Sequence, residues 1–279
     1  MDFSTDQEFL NRIRRHFVCL SGVWVELDRS GNWKTEEKPY CYSGFIIKIC
    51  GRWCFMTAGH VFRDIDNFIA KGSIRLLKCG LADYFSAEAK VKEPVQFAYD
   101  DAHRIIVDRS EMDFGLIPLR DYYTMNLEAN GVTPMRVAAW TGRRPPQFDF
   151  YAVLGLPDEH LEPRSRMGER GPQIGYIMTL SLVGVQPLES PPADSAVSPI
   201  PRFAGALRDG GCLGSVKGMS GGPILGISKT DGGWDYACVA VQGSWDKGRR
   251  LIYGTPVSIV VETITKLLTE KPRTAGQDK

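Results

Sequence analysis

One stretch decides how this chain is interpreted: Gly218-Met219-Ser220-Gly221-Gly222-Pro223-Ile224. A serine between glycines, directly before a β-like run, suits a nucleophile on a tight turn, because its small neighbours let a substrate carbonyl approach the backbone. Successive N–H groups of such a turn can point into one concavity and stabilise an oxyanion. Serine alone is a poor nucleophile near neutral pH, so this interpretation requires a base and a group that orients the base.

The chain has four histidines, so the search for the base is short. His60 ends the run Trp53-Cys54-Phe55-Met56-Thr57-Ala58-Gly59-His60, a β-like segment that closes in a small-residue turn. This position predicts an imidazole at a strand edge and not deep in the core. The others, His16, His103 and His160, lie among charged residues. We therefore predict that His60 is the base.

The orienting carboxylate is predicted to be Asp113, the acid that immediately precedes the apolar run 114–119. An acid at the head of a strand tends to be partly buried, and burial of a carboxylate without a partner is unfavourable. A histidine N–H would satisfy it. Asp100, Asp101 and Asp108 stand in more polar surroundings and are weaker candidates.

The composition is that of an ordinary globular chain with many turns. Among 279 residues the formal net charge is +1, with 43% hydrophobic and 24% charged residues, which argues against an electrostatic nucleic-acid binder. The 29 glycines and 17 prolines favour a β-rich chain over a helix bundle. Because no apolar run approaches the ~20 residues of a membrane span, no membrane partner is expected.

The seven cysteines are expected to be reduced thiols. Their odd number, together with an N-terminus that lacks a basic-then-apolar signal, predicts a cytoplasmic location. Cys50 and Cys54 suggest a metal pair, but their spacing falls in a predicted hairpin and no second Cys/His pair has zinc-site spacing. No metal and no cofactor is predicted. Core positions are expected for Cys19, Cys41, Cys50, Cys54, Cys79, Cys212 and Cys238.

Short β-like runs separated by turns occupy two parts of the chain, with a polar stretch between them. The charged segment 157–172 and the proline-rich segment 187–201 are predicted to be loops, not central strands. Apolar residues at helical spacing after Pro256 predict a helix. The predicted divisions are an N-terminal amphipathic segment (1–16), a first β lobe (17–120), a connector (121–146), a second β lobe (147–256), a C-terminal helix (257–270) and a disordered tail (271–279).

Three segments together are similar to the catalytic motifs of the chymotrypsin/trypsin-like serine peptidases. They occur in the family's order of histidine, aspartate and serine. Each segment alone is a weak signal, whereas three segments in this order, separated by β-like runs, are specific. The segments are Thr57-Ala58-Gly59-His60, Met112-Asp113-Phe114-Gly115-Leu116 and Gly218-Met219-Ser220-Gly221-Gly222-Pro223, with supporting matches at Tyr42-Ser43-Gly44-Phe45-Ile46 and Val153-Leu154-Gly155-Leu156-Pro157.

The resemblance implies an all-β fold of two antiparallel six-stranded β-barrels, a chymotrypsin-like double barrel, to which a short N-terminal helix and a C-terminal helix are added. His60 and Asp113 would come from the first barrel and Ser220 from the second. The implied activity is that of a serine endopeptidase on protein or peptide substrates: Ser220 attacks a peptide carbonyl, His60 transfers the proton, and Asp113 holds the imidazole tautomer. Backbone N–H groups of Gly218 and Ser220 would form the oxyanion hole.

Two positions depart from the secreted members of the family. Where those members carry an aspartate that pairs with a newly cleaved N-terminus, this chain has Met219. The position after the histidine, often cysteine in those members, is Val61. We therefore expect an intracellular, bacterial-type member that is controlled by a regulatory protein partner or by loop ordering.

Substrate specificity is predicted from the segments that would line the pocket. An alignment without gaps places Gly214 where trypsin-like members carry the acid that selects Arg or Lys. Without an acid at that position, we expect a small or apolar side chain at the cleaved bond. The pocket walls are predicted to include Gln242, Gly243 and Ser244.

Interpretations without catalysis also stay open. Taken singly, Ser220 is explained by an ordinary Gly-Ser turn and His60 by a structural role at a strand end. The chain as a whole could be a binding or scaffold module that keeps the peptidase fold without cleaving. It could also be a latent protease whose oxyanion loop collapses until a partner binds.

Overall fold

The computed structural model describes residues 6–28, 30–109, 112–139, 145–168, 171–189, 200–208 and 213–269. The predicted tail (271–279), the first five residues of the N-terminal segment and Cys212 lie outside this range. None of the helices in the described part has the length and apolar character needed to cross a bilayer.

The first lobe contains eight strands in two antiparallel sheets, with the orders β2-β1-β5-β6 and β3-β4-β8-β7. The strands are β1 (Cys19–Glu26), β2 (Lys38–Tyr42), β3 (Phe45–Ile49), β4 (Arg52–Thr57), β5 (Ile74–Ala82), β6 (Val95–Gln96), β7 (Ile105–Asp108) and β8 (Asp113–Pro118). Within the described residues these two sheets are not joined into one continuous ladder, and an isolated antiparallel bridge between Phe17 and Phe45 links them. The two sheets instead pack around one core that includes Leu20, Leu81, Ile46, Phe55 and Ile117.

The second lobe is a closed antiparallel barrel with the strand order β12-β13-β16-β15-β14-β9. Its strands, with an additional hairpin, are β9 (Phe150–Gly155), β10 (Leu161–Gly168), β11 (Gly171–Met178), β12 (Ser181–Pro187), β13 (Phe203–Leu207), β14 (Pro223–Thr230), β15 (Gly233–Asp246) and β16 (Leu251–Pro256). Closure leaves no unpaired edge in this sheet. The predicted all-β class and the six-stranded second barrel are confirmed.

The segment 157–172, predicted to be a loop, is mostly strand. β10 and β11 form a separate two-stranded hairpin that pairs Leu161 with Met178 at one end and Gly168 with Gly171 at the other. The expectation that this segment is not a central strand is correct, since the hairpin lies outside the barrel. A two-stranded ribbon tolerates Pro163 because each strand has a free edge that requires no N–H.

Four α-helices lie within the described residues: α1 (Gln7–Arg14), α2 (Gly59–Ala70), α3 (Asp121–Ala129) and α4 (Val257–Thr269). The N- and C-terminal helices were predicted, and Asp6 caps α1 by accepting a hydrogen bond from the Phe9 N–H. The helix α2 was not predicted, although Val61, Phe62 and Ile65 stand at helical spacing and are buried. The helix α3 occupies the start of the predicted connector.

The two lobes share one core, which the terminal helices complete. Phe45 and Met56 of the first lobe pack in the same buried cluster as Leu154 and Leu225 of the second. From α1, Phe9 contacts the ring of Tyr236 edge-on, with ring centres 5.6 Å apart. The relative position of the lobes is therefore fixed by packing and not by the connector alone.

His16, directly after α1, bridges the lobes through both ring nitrogens. Its Nδ1 lies 2.7 Å from the Thr133 carbonyl oxygen and its Nε2 lies 2.7 Å from the Tyr236 hydroxyl. The ring is 8% exposed, and this burial lowers the pKa of His16 below its ordinary value. The folded protein therefore holds a neutral imidazole at this junction.

We expect the free energy of unfolding to decrease as the pH falls through about 6.5, the ordinary histidine pKa. The unfolded chain then binds a proton at His16 that the folded chain does not bind, so acidification favours unfolding. Urea unfolding of wild type and His16→Gln at about pH 7.5 and pH 5.5 measures the effect, and the variant should lose less stability on acidification.

Asp83 supplies the matched control, because burial raises the pKa of its carboxyl to about 6. A raised carboxyl pKa works in the opposite direction, since the folded chain binds the additional proton. Asp83→Asn should therefore lose more stability than wild type on acidification. An unchanged pH dependence in His16→Gln would contradict the assignment of the effect to His16.

Candidate active site

The position of His60 depends on a close backbone contact at the preceding residue, Gly59, where there is no room for a side chain. His60 is the second residue of α2, which begins directly after β4 and the extended residue Ala58. A Cβ on Gly59 would overlap the Val107 carbonyl oxygen and lie 2.8 Å from the Phe114 carbonyl oxygen. The start of α2 therefore rests on β7 and β8, which brings the imidazole to the head of β8.

Asp113, the first residue of β8, holds His60 through one hydrogen bond to its backbone and one to its ring. The His60 backbone N–H donates to Oδ1 at 3.0 Å, and the ring Nδ1 lies 2.7 Å from Oδ2. An ionised carboxylate only accepts hydrogen bonds, so in this contact it selects the imidazole tautomer that carries its proton on Nδ1, and a neutral ring of that tautomer has a lone pair at Nε2. The Asp113 N–H donates in turn to Thr255 Oγ1 at 2.9 Å, so β16 of the second lobe supports the pair.

The Ser220 turn is pressed against the segment that precedes His60. A Cβ on Gly221, where φ is +91°, would overlap Thr57 Oγ1 and lie 2.8 Å from the Ala58 nitrogen. The Gly221 N–H donates to the Gln242 carbonyl at 2.7 Å, which ties the turn to β15.

Gly243 on β15 lies between the serine and the aspartate. Ser220 Oγ is 3.5 Å from the Gly243 carbonyl oxygen, and a Cβ on Gly243 would be 2.9 Å from Asp113 Oδ2. Within the described part of the chain, no hydrogen bond joins Ser220 Oγ to His60. The structure thus gathers the three predicted residues around Gly243, with the serine hydroxyl directed to the glycine carbonyl.

The peptide planes around Ser220 leave two N–H groups unengaged. The Lys217 carbonyl accepts from the Asp158 N–H at 2.8 Å, and the Met219 carbonyl accepts from the Gly222 N–H at 2.9 Å. In a trans peptide the C=O and the next N–H point in opposite directions, so the N–H groups of Gly218 and Ser220 point away from these partners. Among the described residues neither N–H has an acceptor.

Ser43 holds the Gly218 peptide in this orientation, a role that sequence reasoning missed. Its side chain is fully buried, donates to the Gly218 carbonyl at 2.8 Å and accepts from the Leu156 N–H at 2.9 Å. Its own carbonyl accepts from Thr57 Oγ1 at 2.7 Å. The sequence marked only the segment around Ser43 and gave no signal of the distant partners.

Ser43→Ala is expected to destabilise the fold by about 1–3 kcal/mol, because it leaves the buried Leu156 N–H and the partly buried Gly218 carbonyl without this partner. Chemical unfolding monitored by tryptophan fluorescence measures the loss. Ser228→Ala on β14 is the control, since the Ser228 side chain is half-buried and is expected to change stability by less than about 0.5 kcal/mol. Equal effects of the two substitutions would contradict the role given to Ser43.

The predicted specificity residues divide into two groups. Gln242, Gly243 and Ser244 are consecutive residues of β15, the strand that is hydrogen-bonded to the Ser220 turn. Gln242 is almost fully buried. Gly214 lies instead beside an acid from another segment, since its N–H donates to Glu159 Oε1 at 3.0 Å. Position 214 itself carries no acid, and the carboxylate beside it belongs to Glu159, 55 positions earlier in the chain. The expected preference for a small or apolar side chain stays a prediction.

The two departures from secreted family members have structural counterparts. Met219 is fully buried and packs against Gly155, where a Cβ would lie 2.9 Å from the Met219 Cβ. Val61 is buried in the core of the first lobe. Both positions are therefore occupied by apolar packing.

The described cysteines are all free thiols. Cys19, Cys54 and Cys238 are buried as predicted, and two others are half-buried. Cys50 is exposed, which corrects its predicted core position, because it lies in the β3–β4 turn with a φ of +47°. Within the described residues, no group of three or more His, Cys, Asp or Glu side chains could hold a metal ion.

Comparison with known proteins yields likenesses in structure only. No family model and no curated protein sequence matches the chain. A thermostable serine protease, AL20, from an extremophilic microorganism is 13% identical over 93% of this chain and 99% of its own, with a TM-score of 0.48. Neuropsin, a serine protease expressed in the limbic system of mouse brain, is 12% identical over 91% of this chain and 95% of its own, with a TM-score of 0.44. At these values neither likeness carries an argument about chemistry.

Proposed function

We propose that this chain is a serine endopeptidase that hydrolyses peptide bonds in protein or peptide substrates through an acyl-enzyme. One observation carries the proposal: a histidine oriented by a carboxylate and two unengaged N–H groups belong to segments that meet at the Ser220 turn. His60 presents Nε2 while Asp113 engages Nδ1 at 2.7 Å, and the unengaged N–H groups belong to Gly218 and Ser220. This is the combination that acyl transfer by a serine requires.

In the proposed first step, Ser220 Oγ leaves the Gly243 carbonyl, turns to His60 Nε2 and attacks the carbonyl carbon of the substrate. The Oγ proton passes to Nε2, and the carboxylate of Asp113 stabilises the resulting imidazolium. The carbonyl oxygen becomes negative and accepts hydrogen bonds from the N–H groups of Gly218 and Ser220.

The remaining steps return the site to its starting state. The C–N bond of the tetrahedral adduct breaks as His60 gives its proton to the leaving amine, and the acyl group stays on Ser220. A water molecule then attacks the ester carbonyl, loses a proton to His60 and displaces Ser220 Oγ, which recovers that proton. These steps use protein groups and water alone.

The alternative is a latent or non-cleaving protease-fold module, and the direction of the Ser220 hydroxyl favours it. At 3.5 Å from the Gly243 carbonyl, Oγ is not hydrogen-bonded to the base. The unengaged N–H groups of Gly218 and Ser220 favour the active enzyme, since a collapsed oxyanion loop would direct at least one of them to a protein acceptor. Control by a regulatory partner, expected from Met219 and Val61 in the sequence, is part of the proposed peptidase function and applies equally to a latent form.

A fluorophosphonate probe is expected to label Ser220, because the probe reports a serine activated by a base. Peptide mass mapping identifies the labelled residue. Ser220→Ala should lose the label, and Ser228→Ala on the same lobe should keep it. A latent enzyme would react only after a partner is added, and a folded protein that never reacts under any partner condition would contradict the proposal.

Asp113→Asn is expected to lower kcat by about 10⁴-fold, because an amide in this position favours the wrong imidazole tautomer. Asp108→Asn is the control, since Asp108 pairs with Asp113 in register across β7 and β8 and its carboxylate meets Arg63 instead of His60. Its kcat should change by less than about threefold, an effect of a few tenths of a kcal/mol. Hydrolysis of a peptide library measures both, and similar losses in the two variants would contradict the role of Asp113.

A further inference from the structure

Arg202, just before β13, is a half-buried cation without an acidic partner. Its Nη2 donates a hydrogen bond of 2.7 Å to Ser244 Oγ, and its guanidinium carbon lies 4.6 Å from the centre of the Tyr253 ring. Among the described residues, no carboxylate comes within the 4.0 Å of an ion pair. Arg104, which is similarly shielded in the first lobe, does meet a carboxylate, that of Asp66.

The donors of Arg202 are only partly used. A guanidinium carries five N–H donors in a planar fork, and one of them is engaged by Ser244. Stacking on Tyr253 covers a face of the plane and leaves the edge donors available. Burial lowers the pKa of Arg202 below its ordinary value, and the charge of Asp113, which is not in ion-pair contact, offsets this only in part. A carboxylate supplied from outside would relieve this penalty.

Arg202 is close to the proposed nucleophile. Ser244 directly follows Gly243 on β15, and the Gly243 carbonyl lies 3.5 Å from Ser220 Oγ. Arg202 and Gly243 also line, with Asp113, one small cavity of about 10 Å³. A ligand group bound by the guanidinium would therefore lie next to the reacting bond.

The direction of the substrate follows from the same groups. We take the reacting carbonyl to be held by the N–H groups of Gly218 and Ser220, and the N–H of the same substrate residue to face the Gly243 carbonyl, which lies 3.5 Å from Ser220 Oγ. An extended peptide that continues toward its own N-terminus then passes Ser244 and reaches Arg202. The cation thus meets the acyl side of the substrate.

We propose that Arg202, with Ser244, binds the carboxylate of a glutamate or aspartate side chain on the N-terminal side of the cleaved bond. This inference rests on the proposed peptidase function and names a substrate class for it. Paired N–H donors recognise a carboxylate by charge-assisted, bidentate hydrogen bonds. The side chain at the cleaved bond itself, predicted from the sequence to be small or apolar, is a different position.

The test uses pairs of internally quenched peptides that differ only in glutamate versus glutamine, scanned through successive positions before the cleaved bond. At one position wild type should prefer glutamate by about tenfold in kcat/KM, the effect of one good ion pair. Arg202→Gln should abolish this preference, and raised salt should weaken it. Arg208→Gln, at the other end of β13 where the arginine is exposed, should retain it.

The ratio of the two rates separates recognition from a structural role. If Arg202 only held Ser244 in place, Arg202→Gln would change kcat/KM for the glutamate and the glutamine peptide equally. An unchanged ratio of the two kcat/KM values in Arg202→Gln would therefore overturn the inference. The absence of a glutamate preference in wild type would overturn it as well, while the proposed peptidase function would stand.

If wild type cleaves none of the peptides, the proposed function fails and binding decides the inference separately. Calorimetry then compares the glutamate and glutamine peptides on Ser220→Ala, with and without Arg202→Gln. Tighter binding of the glutamate peptide that is lost with Arg202→Gln supports the inference. Equal affinities of the two peptides overturn it.

Discussion

The candidate site depends on a contact between the lobes that leaves no room for a side chain. At Gly221 the serine turn of the barrel meets Thr57 and Ala58, just before His60 in the first lobe. Because no hydrogen bond joins Ser220 to His60, their relative position follows from this packing and from the hydrogen bonds that cross between the lobes, Ser43 to Gly218 and Asp113 to Thr255. A methyl group at position 221 would push the lobes apart and would move the nucleophile away from the base.

Residues within short, constrained segments could be predicted from the sequence. His60 follows a β-like run that closes in small residues, and Asp113 precedes an apolar strand. Each position could therefore be recognised from its immediate neighbours in the sequence. The contact between them, with Nδ1 and Oδ2 separated by 2.7 Å, agrees with that prediction. The chemical roles of these residues are proposals that activity measurements will decide.

Contributions that arise from distant segments could not be predicted in this way. The Ser43 hydroxyl meets the Gly218 carbonyl across 175 positions of the chain, and Glu159 reaches Gly214 across 55. No local pattern encodes such pairs, because each depends on how the lobes and loops pack. The helix α2 is a different case. Its apolar residues stand at helical spacing in the sequence, but the β-like runs before and after it favoured the interpretation of this segment as part of a β region.

The bridge that α1 makes between the lobes has a consequence for assembly. Phe9 and His16 precede both lobes in the sequence, yet both pack on Tyr236 of the second lobe. Because synthesis proceeds from the N-terminus, the first lobe can form long before that partner exists. The part of the α1 face that packs on Tyr236 therefore has no partner until the second lobe has been synthesised, and the completed cleft requires both lobes.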